Sequence, residues 1–249
     1  MGNYNPFTLE GKTILVTGAS SGIGAAIAVE CSKMGALVVV TGRDAERLQA
    51  TFSLLQENEG HLQITADLSS DEGVSAFVGQ LPKLDGIVHS AGFLKKLPFK
   101  FINQKAWDET MSVNLFAPAV LSQQIVKKNL LKEAGSIVFI SSIAASVASF
   151  GNISYMASKG AINSLSRGMA LELAAKKIRV NTVMPALIKT NLTEKALSQE
   201  DLENYLQKFP LGRFGKPEEV AHAAIYLLSD ATQWITGTSI TVDGGVTLR

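Results

Sequence analysis

The sequence predicts an α/β fold: one domain over residues 1–249, in which a doubly wound parallel sheet of about seven strands carries helices on both faces. Three observations predict it. Short apolar runs alternate with amphipathic stretches of helical length along the whole chain, as strands buried on both faces require. A glycine-rich turn joins the first such run to the first helical stretch. No low-complexity linker, internal repeat or break in composition marks a second domain, and 249 residues with 46% hydrophobic content can bury one sizeable core.

Taken in order, Thr13 to Val16 reads as the first strand and Ala25 to Met34 as the helix that follows it. Leu37 to Val40, Leu62 to Thr65 and Gly86 to Val88 read as strands two to four. Ile137 to Ile140, Val180 to Val183 and Ser239 to Val242 complete the set. The segment from Thr190 to Pro210 differs in character. It is polar and charged, with apolar residues at Leu192, Leu197, Leu202, Leu206 and Phe209, and reads as a helical lid over a substrate pocket, spanning 187–210.

Composition narrows the function classes. A net charge of +1 gives no field that would draw nucleic acid, and the pairs Lys95-Lys96, Lys127-Lys128 and Lys176-Lys177 read as ordinary solvated surface. Cys31 is the only cysteine, so no intrachain disulfide is expected. Met1 to Glu10 lacks a basic segment followed by an apolar stretch, and no apolar run approaches the roughly 18 residues of a membrane span. A soluble cytoplasmic protein with no membrane partner and no metal site is expected.

The first strand runs into Thr17-Gly18-Ala19-Ser20-Ser21-Gly22-Ile23-Gly24. Glycines permit a tight turn and close approach of backbone to ligand, and the following helix offers free N–H groups and a positive dipole end to a pyrophosphate. The spacing is G-x-x-x-G-x-G rather than G-x-G-x-x-G, and the same glycines also suit a turn without a ligand. The second strand ends Val40-Thr41-Gly42-Arg43, with no acid at position 42. A carboxylate there would hold the ribose 2′-hydroxyl of NAD, whereas an arginine fork suits the 2′-phosphate of NADP. NADP(H) is therefore expected over NAD(H). The alternative for Arg43 is a surface pair with Asp44 or Glu46.

Tyr155 and Lys159 lie four apart in a helical segment and share one face. A tyrosine hydroxyl titrates near ~10, too high for an efficient base at neutral pH, and a neighbouring ammonium lowers that value. Upstream, an apolar strand delivers Ser141 and Ser142 to the carboxyl edge of the sheet, where open α/β folds bind ligands. The Ser142 hydroxyl can donate to a carbonyl oxygen as negative charge develops on it; equally, it is a small residue suited to a strand end.

Together these motifs closely resemble the short-chain dehydrogenase/reductase family over essentially the whole chain. The T-G-x-x-x-G-x-G pattern is met by Thr17 to Gly24, Y-x-x-x-K by Tyr155 and Lys159, the upstream serine by Ser142, and the helix asparagine by Asn114, which alone would read as an interior polar residue. The resemblance implies a Rossmann-type fold and four catalytic residues. Tyr155 exchanges a proton with substrate, Lys159 lowers its pKa and holds the nicotinamide ribose, Ser142 polarises the carbonyl, and Asn114 anchors a water. It also implies cofactor contacts from Gly18, Ser20, Ser21, Gly22, Ile23 and Gly24, and from Asp67 and Leu68 after strand three. Further contacts are implied from Ser90, Ala91 and Gly92 after strand four, and from Pro185, Ile188 and Thr190. Two departures stand out. Asn-Asn-Ala-Gly is here His89-Ser90-Ala91-Gly92, with His89 read as structural, and Pro-Gly before the lid is Pro185-Ala186.

Within the family, Pro210 to Val220 and Thr236 to Gly245 are similar to the 3-oxoacyl-[acyl-carrier-protein] reductases, and also to sugar, steroid and alcohol dehydrogenases. The expected substrate is an acyl thioester or a small molecule, with acyl carrier protein as a partner. Lys176 matches one basic docking position, whereas the other is Glu133. Phe93, Ser149, Phe150 and the region of Leu192 are expected to wall the pocket. A homotetramer or homodimer follows from the resemblance alone; Ile162, Leu165, Met169 and Leu173 recur at helical spacing, a pattern that equally describes packing onto the sheet. A redox sensor that holds NADP(H) without turnover is the alternative of a different class.

Overall fold

The computed structural model describes residues 4–190 and 199–248. Strand β1 (Thr13–Thr17) and strand β2 (Leu37–Gly42) pair in parallel, with Thr17 opposite Thr41. β3 (Leu62–Thr65) lies outside β2, and β4 (Leu84–His89) pairs with the other side of β1. β5 (Leu131–Ile140), β6 (Arg179–Pro185) and β7 (Ser239–Val242) extend the sheet in parallel to the order β3-β2-β1-β4-β5-β6-β7. The strand order reverses between β1 and β4, and a crevice opens there at the carboxyl ends, where ligands bind in such sheets.

Helices α1 (Gly22–Lys33), α2 (Ala45–Phe52), α3 (Asp71–Val78), α4 (Gln104–Met111), α5 (Ala117–Lys127), α6 (Ile153–Leu173), α7 (Gln199–Leu206) and α8 (Pro217–Leu228) follow in chain order. Alternating strand residues feed two separate cores. Ile14, Val16, Val38 and Val138 pack with α1 and α8, while Leu15, Val39, Ile137 and Phe139 pack with α3, α5 and α6. Both faces are thus dry, which is why the strands read as continuous apolar runs. Gly86 admits this packing at close range: a β-carbon there would meet Leu228 at 2.7 Å and Ile14 at 2.8 Å.

All seven expected strands are present, and three details differ. α1 begins at Gly22 rather than Ala25, so the glycine motif itself forms the first turn. β5 begins at Leu131, well before Ile137. Leu131 is buried, the next three residues, Lys132, Glu133 and Ala134, are exposed, and the pairing shifts register between Leu84 and Gly86, with Ala134 at φ 59°. Residues 112–116, between α4 and α5, form a π-helical turn that carries Asn114. Such turns insert one extra residue and re-aim side chains at functional sites. Of the expected lid at 187–210, residues 191–198 lie outside the described residues, and α7 is helical as expected.

Candidate active site

One cavity of about 530 Å³ runs along the carboxyl edge of the sheet, from the β1–α1 turn to Tyr155 and Lys159. Every residue expected to contact cofactor lines it, as does Ser142. Asn114 is buried just behind the wall.

The β1–α1 end is shaped by glycines. Gly18 has φ +67°, and a β-carbon on it would lie 2.6 Å from the backbone of Ala91. Gly24 presses on the carbonyl of Gly18, which fixes helix against turn. Ser21 stands at the α1 N-cap without a side-chain capping bond, so its hydroxyl does not occupy the first N–H groups. Uncapped N–H groups at a helix start, beside a turn with no side chain in the way, fit a pyrophosphate. Thr17 stitches this turn to the next strand, its hydroxyl accepting from Ser90 N at 3.2 Å and Ala91 N at 3.4 Å. Gly18→Ala is expected to destabilise the protein by about 2–4 kcal/mol, from left-handed strain plus the clash with Ala91. Thermal denaturation and cofactor titration read this out. A variant with unaltered melting would show that the turn tolerates a side chain.

Arg43 lines the cavity at the β2 end and is exposed. The alternative pairing with Asp44 does not form: Asp44 caps α2 and binds Arg47 Nε at 2.7 Å, which holds its carboxyl below the usual range. Among the described residues Arg43 has no ion-pair partner. Arg47 also lines the cavity, a contact the sequence reading missed. Arg47 lies in the first turn of α2, just after the Asp44 cap, so the signal depends on locating that helix start.

At the other end, burial raises the Tyr155 hydroxyl above its ordinary pKa, and the neighbouring Ser142 hydroxyl partly opposes the rise. Ser142 is held in turn, accepting from Ala144 N at 3.1 Å and donating to Pro185 O at 3.5 Å. Lys159 is buried, its ammonium 5.6 Å from the Tyr155 ring centroid and donating to Ile140 O at 2.8 Å. Burial lowers its pKa to about 8. The sequence reading expected the ammonium to acidify the phenol. The Ser142 hydroxyl lowers its pKa, and desolvation outweighs that lowering.

Asn114 accepts from Phe93 N at 2.7 Å and donates to Phe93 O at 2.9 Å and Ser158 Oγ at 3.0 Å. Ser158 donates to Tyr155 O at 2.7 Å. The π-helical turn therefore ties the loop after β4 to the backbone of Tyr155. A β-carbon on Gly92 would stand 3.9 Å from both Asn114 Oδ1 and Lys159 Nζ. His89 is buried and stacked on Phe139, with Nε2 2.8 Å from Ser122 Oγ, and burial lowers its pKa to about 3. It stays neutral, in keeping with a structural reading.

Of the expected pocket wall, Phe93 lines the cavity; Ser149 and Phe150 do not, and Phe150 is exposed. Leu192 lies outside the described residues. Lys176 donates to Asn129 Oδ1 at 3.0 Å, and Glu133 pairs with Lys177 at 3.0 Å.

A parallel sheet with a phosphate cradle at its switch point, and a tyrosine–lysine–serine group at the far end of the same cleft, defines a nicotinamide-dependent oxidoreductase. The chain belongs to the short-chain dehydrogenase/reductase family. A family model described as enoyl-(acyl carrier protein) reductase matches residues 18–247. The chain is 36% identical over 238 residues to a 3-oxoacyl-[acyl-carrier-protein] reductase of Rickettsia felis, covering 96% of this chain and 98% of that one. It is 33% identical to a gluconate 5-dehydrogenase of Gluconobacter oxydans, covering 100% of this chain and 99% of that one. A solved dehydrogenase/reductase of Sinorhizobium meliloti 1021 superposes with a TM-score of 0.90 at 33% identity, covering 97% of each chain.

Proposed function

We propose that the chain interconverts a carbonyl and a secondary alcohol with NADP(H), Tyr155 exchanging the proton at the substrate oxygen. The observation that carries this reading is the gathering of Ser142, Tyr155 and Lys159 at one end of the cleft whose other end is the glycine cradle. When bound, the nicotinamide supplies or accepts the hydride. The turn from Gly18 to Gly24 holds the pyrophosphate, Asp67 and Leu68 flank the adenine, and Ser90, Ala91 and Gly92 leave room for the adenosine. Pro185, Ile188 and Thr190 border the nicotinamide end, and Lys159 holds its ribose. Ser142 orients the substrate oxygen toward Tyr155. Asn114 acts through others, fixing Phe93 and the Tyr155 turn.

Arg43, exposed at the cleft and without an acidic partner among the described residues, supports NADP(H) over NAD(H). Arg43→Ala is expected to weaken NADPH about 10- to 100-fold and NADH little, the worth of one charge-assisted contact. Fluorescence titration of both cofactors measures it, and equal losses would remove the 2′-phosphate assignment.

The substrate reading is a 3-oxoacyl thioester, with acyl carrier protein as the delivering partner. A second reading, a sugar or other small-alcohol dehydrogenase, gains from one observation: the two carrier-docking positions are engaged within the chain, Lys176 with Asn129 and Glu133 with Lys177. Turnover of β-ketoacyl thioesters, ketoses, steroids and small ketones decides between them. Tight NADPH binding with no turnover of any carbonyl would point to the redox sensor. The reading includes one domain, a lid over 187–210, a cytoplasmic location and a dimer or tetramer, the last testable by light scattering. Among the described residues no helix is long and apolar enough to cross a membrane.

A further inference from the structure

We propose, resting on the carbonyl–alcohol reading above, that Ala186 limits the group on one side of the reacting carbonyl to the size of a methyl, so that the substrate is a methyl ketone or the matching secondary alcohol. Position 186 is one at which the chain departs from the family pattern, alanine standing for glycine. Strand β6 sets the direction of its side chain. Val180 packs in the core shared with α6, whereas Val183 packs in the core shared with α8. Met184 again faces α6, its sulfur accepting from Asn163 Nδ2 at 3.2 Å. The extended pairing continues one residue past the strand, Ala186 N donating to Val242 O at 3.0 Å. Alternation therefore puts the Ala186 methyl on the α6 face, and α6 carries Tyr155.

Ala186 is half-buried and lines the cleft together with Ser142 and Tyr155. Ser142 Oγ donates at 3.5 Å to the carbonyl of Pro185, the residue bonded to Ala186. The methyl thus stands beside the hydroxyl assigned to the substrate oxygen. Behind it lies a second cavity of about 110 Å³, walled by Phe209, Leu211 and Val242. Ala186 and Ile188 line both cavities, so they form the partition between them. The partition is pinned. Gly215 N donates to Leu187 O at 3.2 Å, and Lys189 N donates to Gly215 O at 2.9 Å. A β-carbon on Gly215 would stand 2.5 Å from Ile188 Cδ1, so Ile188 is packed hard against that strap. A wall held this way does not retreat from a bulky group, and overlap at one methyl decides what enters. Phe93 and Leu94 line the same cleft, and their apolar surface suits the substrate's longer arm.

Isomeric octanones test this, because moving the carbonyl along one chain changes the shorter arm at constant composition. Steady-state kinetics with NADPH compare octan-2-one, octan-3-one and octan-4-one, whose shorter arms are methyl, ethyl and propyl. The proteins are full-length wild type, Ala186→Gly, Ala186→Ser and Ala186→Val, with fluorescence titration of NADPH to show that each variant is folded. In wild type, kcat/KM is expected to fall about tenfold or more from octan-2-one to octan-4-one, the worth of a methylene in a close-fitting pocket. Ala186→Gly should raise the ratio of octan-4-one to octan-2-one about tenfold. Ala186→Val should lower it further, and Ala186→Ser should keep the wild-type ratio. Where the valine variant does not fold, the glycine and serine variants decide. A change in hinge stiffness would scale all three ketones together, so a ratio that Ala186→Gly leaves unchanged overturns the Ala186 assignment. Equal reduction of the three isomers by wild type overturns the methyl-ketone class. If wild type reduces none of them but turns over another carbonyl of the panel above, that class falls and the oxidoreductase reading stands. If it reduces no carbonyl at all, both fall.

Discussion

Tyr155→Phe is expected to lower kcat about 10²- to 10⁴-fold, the usual worth of a positioned general acid or base, while leaving NADPH affinity and melting temperature close to wild type. The variant removes one oxygen. Ser142 keeps its bonds with Ala144 N and Pro185 O, so the serine is not left without partners. The ring stays, and with it the packing of the first turn of α6. The pH dependence follows from the same hydroxyl. Burial raises its pKa, so at neutral pH it carries its proton and is ready to deliver it to the developing alkoxide. On the proposed reading the protonated hydroxyl is the form that serves carbonyl reduction, and alcohol oxidation should accelerate as the medium becomes alkaline. Initial rates in both directions across pH, for wild type and variant, measure both effects. A phenylalanine variant at full rate would falsify the acid/base assignment outright.

The sheet and most of the cleft were legible in the sequence because each rests on a local constraint. Ile14 to Val16 and Val38 to Val40 are apolar at every position, since alternate side chains enter different cores, and a run of that kind admits few other placements. The cradle was legible because Gly18 and Gly24 stand where backbone meets backbone. What escaped depends on tertiary geometry. The polar start of β5, Lys132 and Glu133, carries no strand signal, and its pairing depends on a register shift and on Ala134 in a left-handed conformation. The π-helical turn under Asn114 has no counterpart in hydrophobic period. Arg47 reaches the cavity because α2 is capped by Asp44, a relation visible only once the helix start is known. The direction of the Lys159 ammonium was also out of reach. Four-residue spacing puts it on the Tyr155 face, but the carbonyl of Ile140, from a different element, takes its hydrogen bond.

Lys159→Met should separate chemistry from folding. Activity is expected to fall about 10²- to 10³-fold in kcat/KM, comparable to losing one preorganised donor at a site of developing charge. Stability should respond in the opposite sense to a simple loss of contacts. In the unfolded chain this lysine titrates near 10.5, whereas burial brings it to about 8 in the folded chain. Below pH 8 both states hold the proton, and the folded state bears the cost of a buried cation. Between about 8 and 10.5 the unfolded chain binds the proton that the folded chain has released, so wild-type stability rises with pH through that window. The gap corresponds to about 3 kcal/mol. Methionine has no proton to release, so the variant's denaturation midpoint should lack this rise, and its deficit relative to wild type should be smallest at neutral pH. Urea denaturation of both proteins at neutral and alkaline pH measures the difference. Parallel pH profiles would mean that the ammonium is hydrated in the folded state, and the dry lysine on which the site chemistry depends would have to be given up. Divergent profiles together with lost turnover would place a desolvated cation beside Tyr155 at a net cost to folding, which is the signature of a group retained for its chemistry.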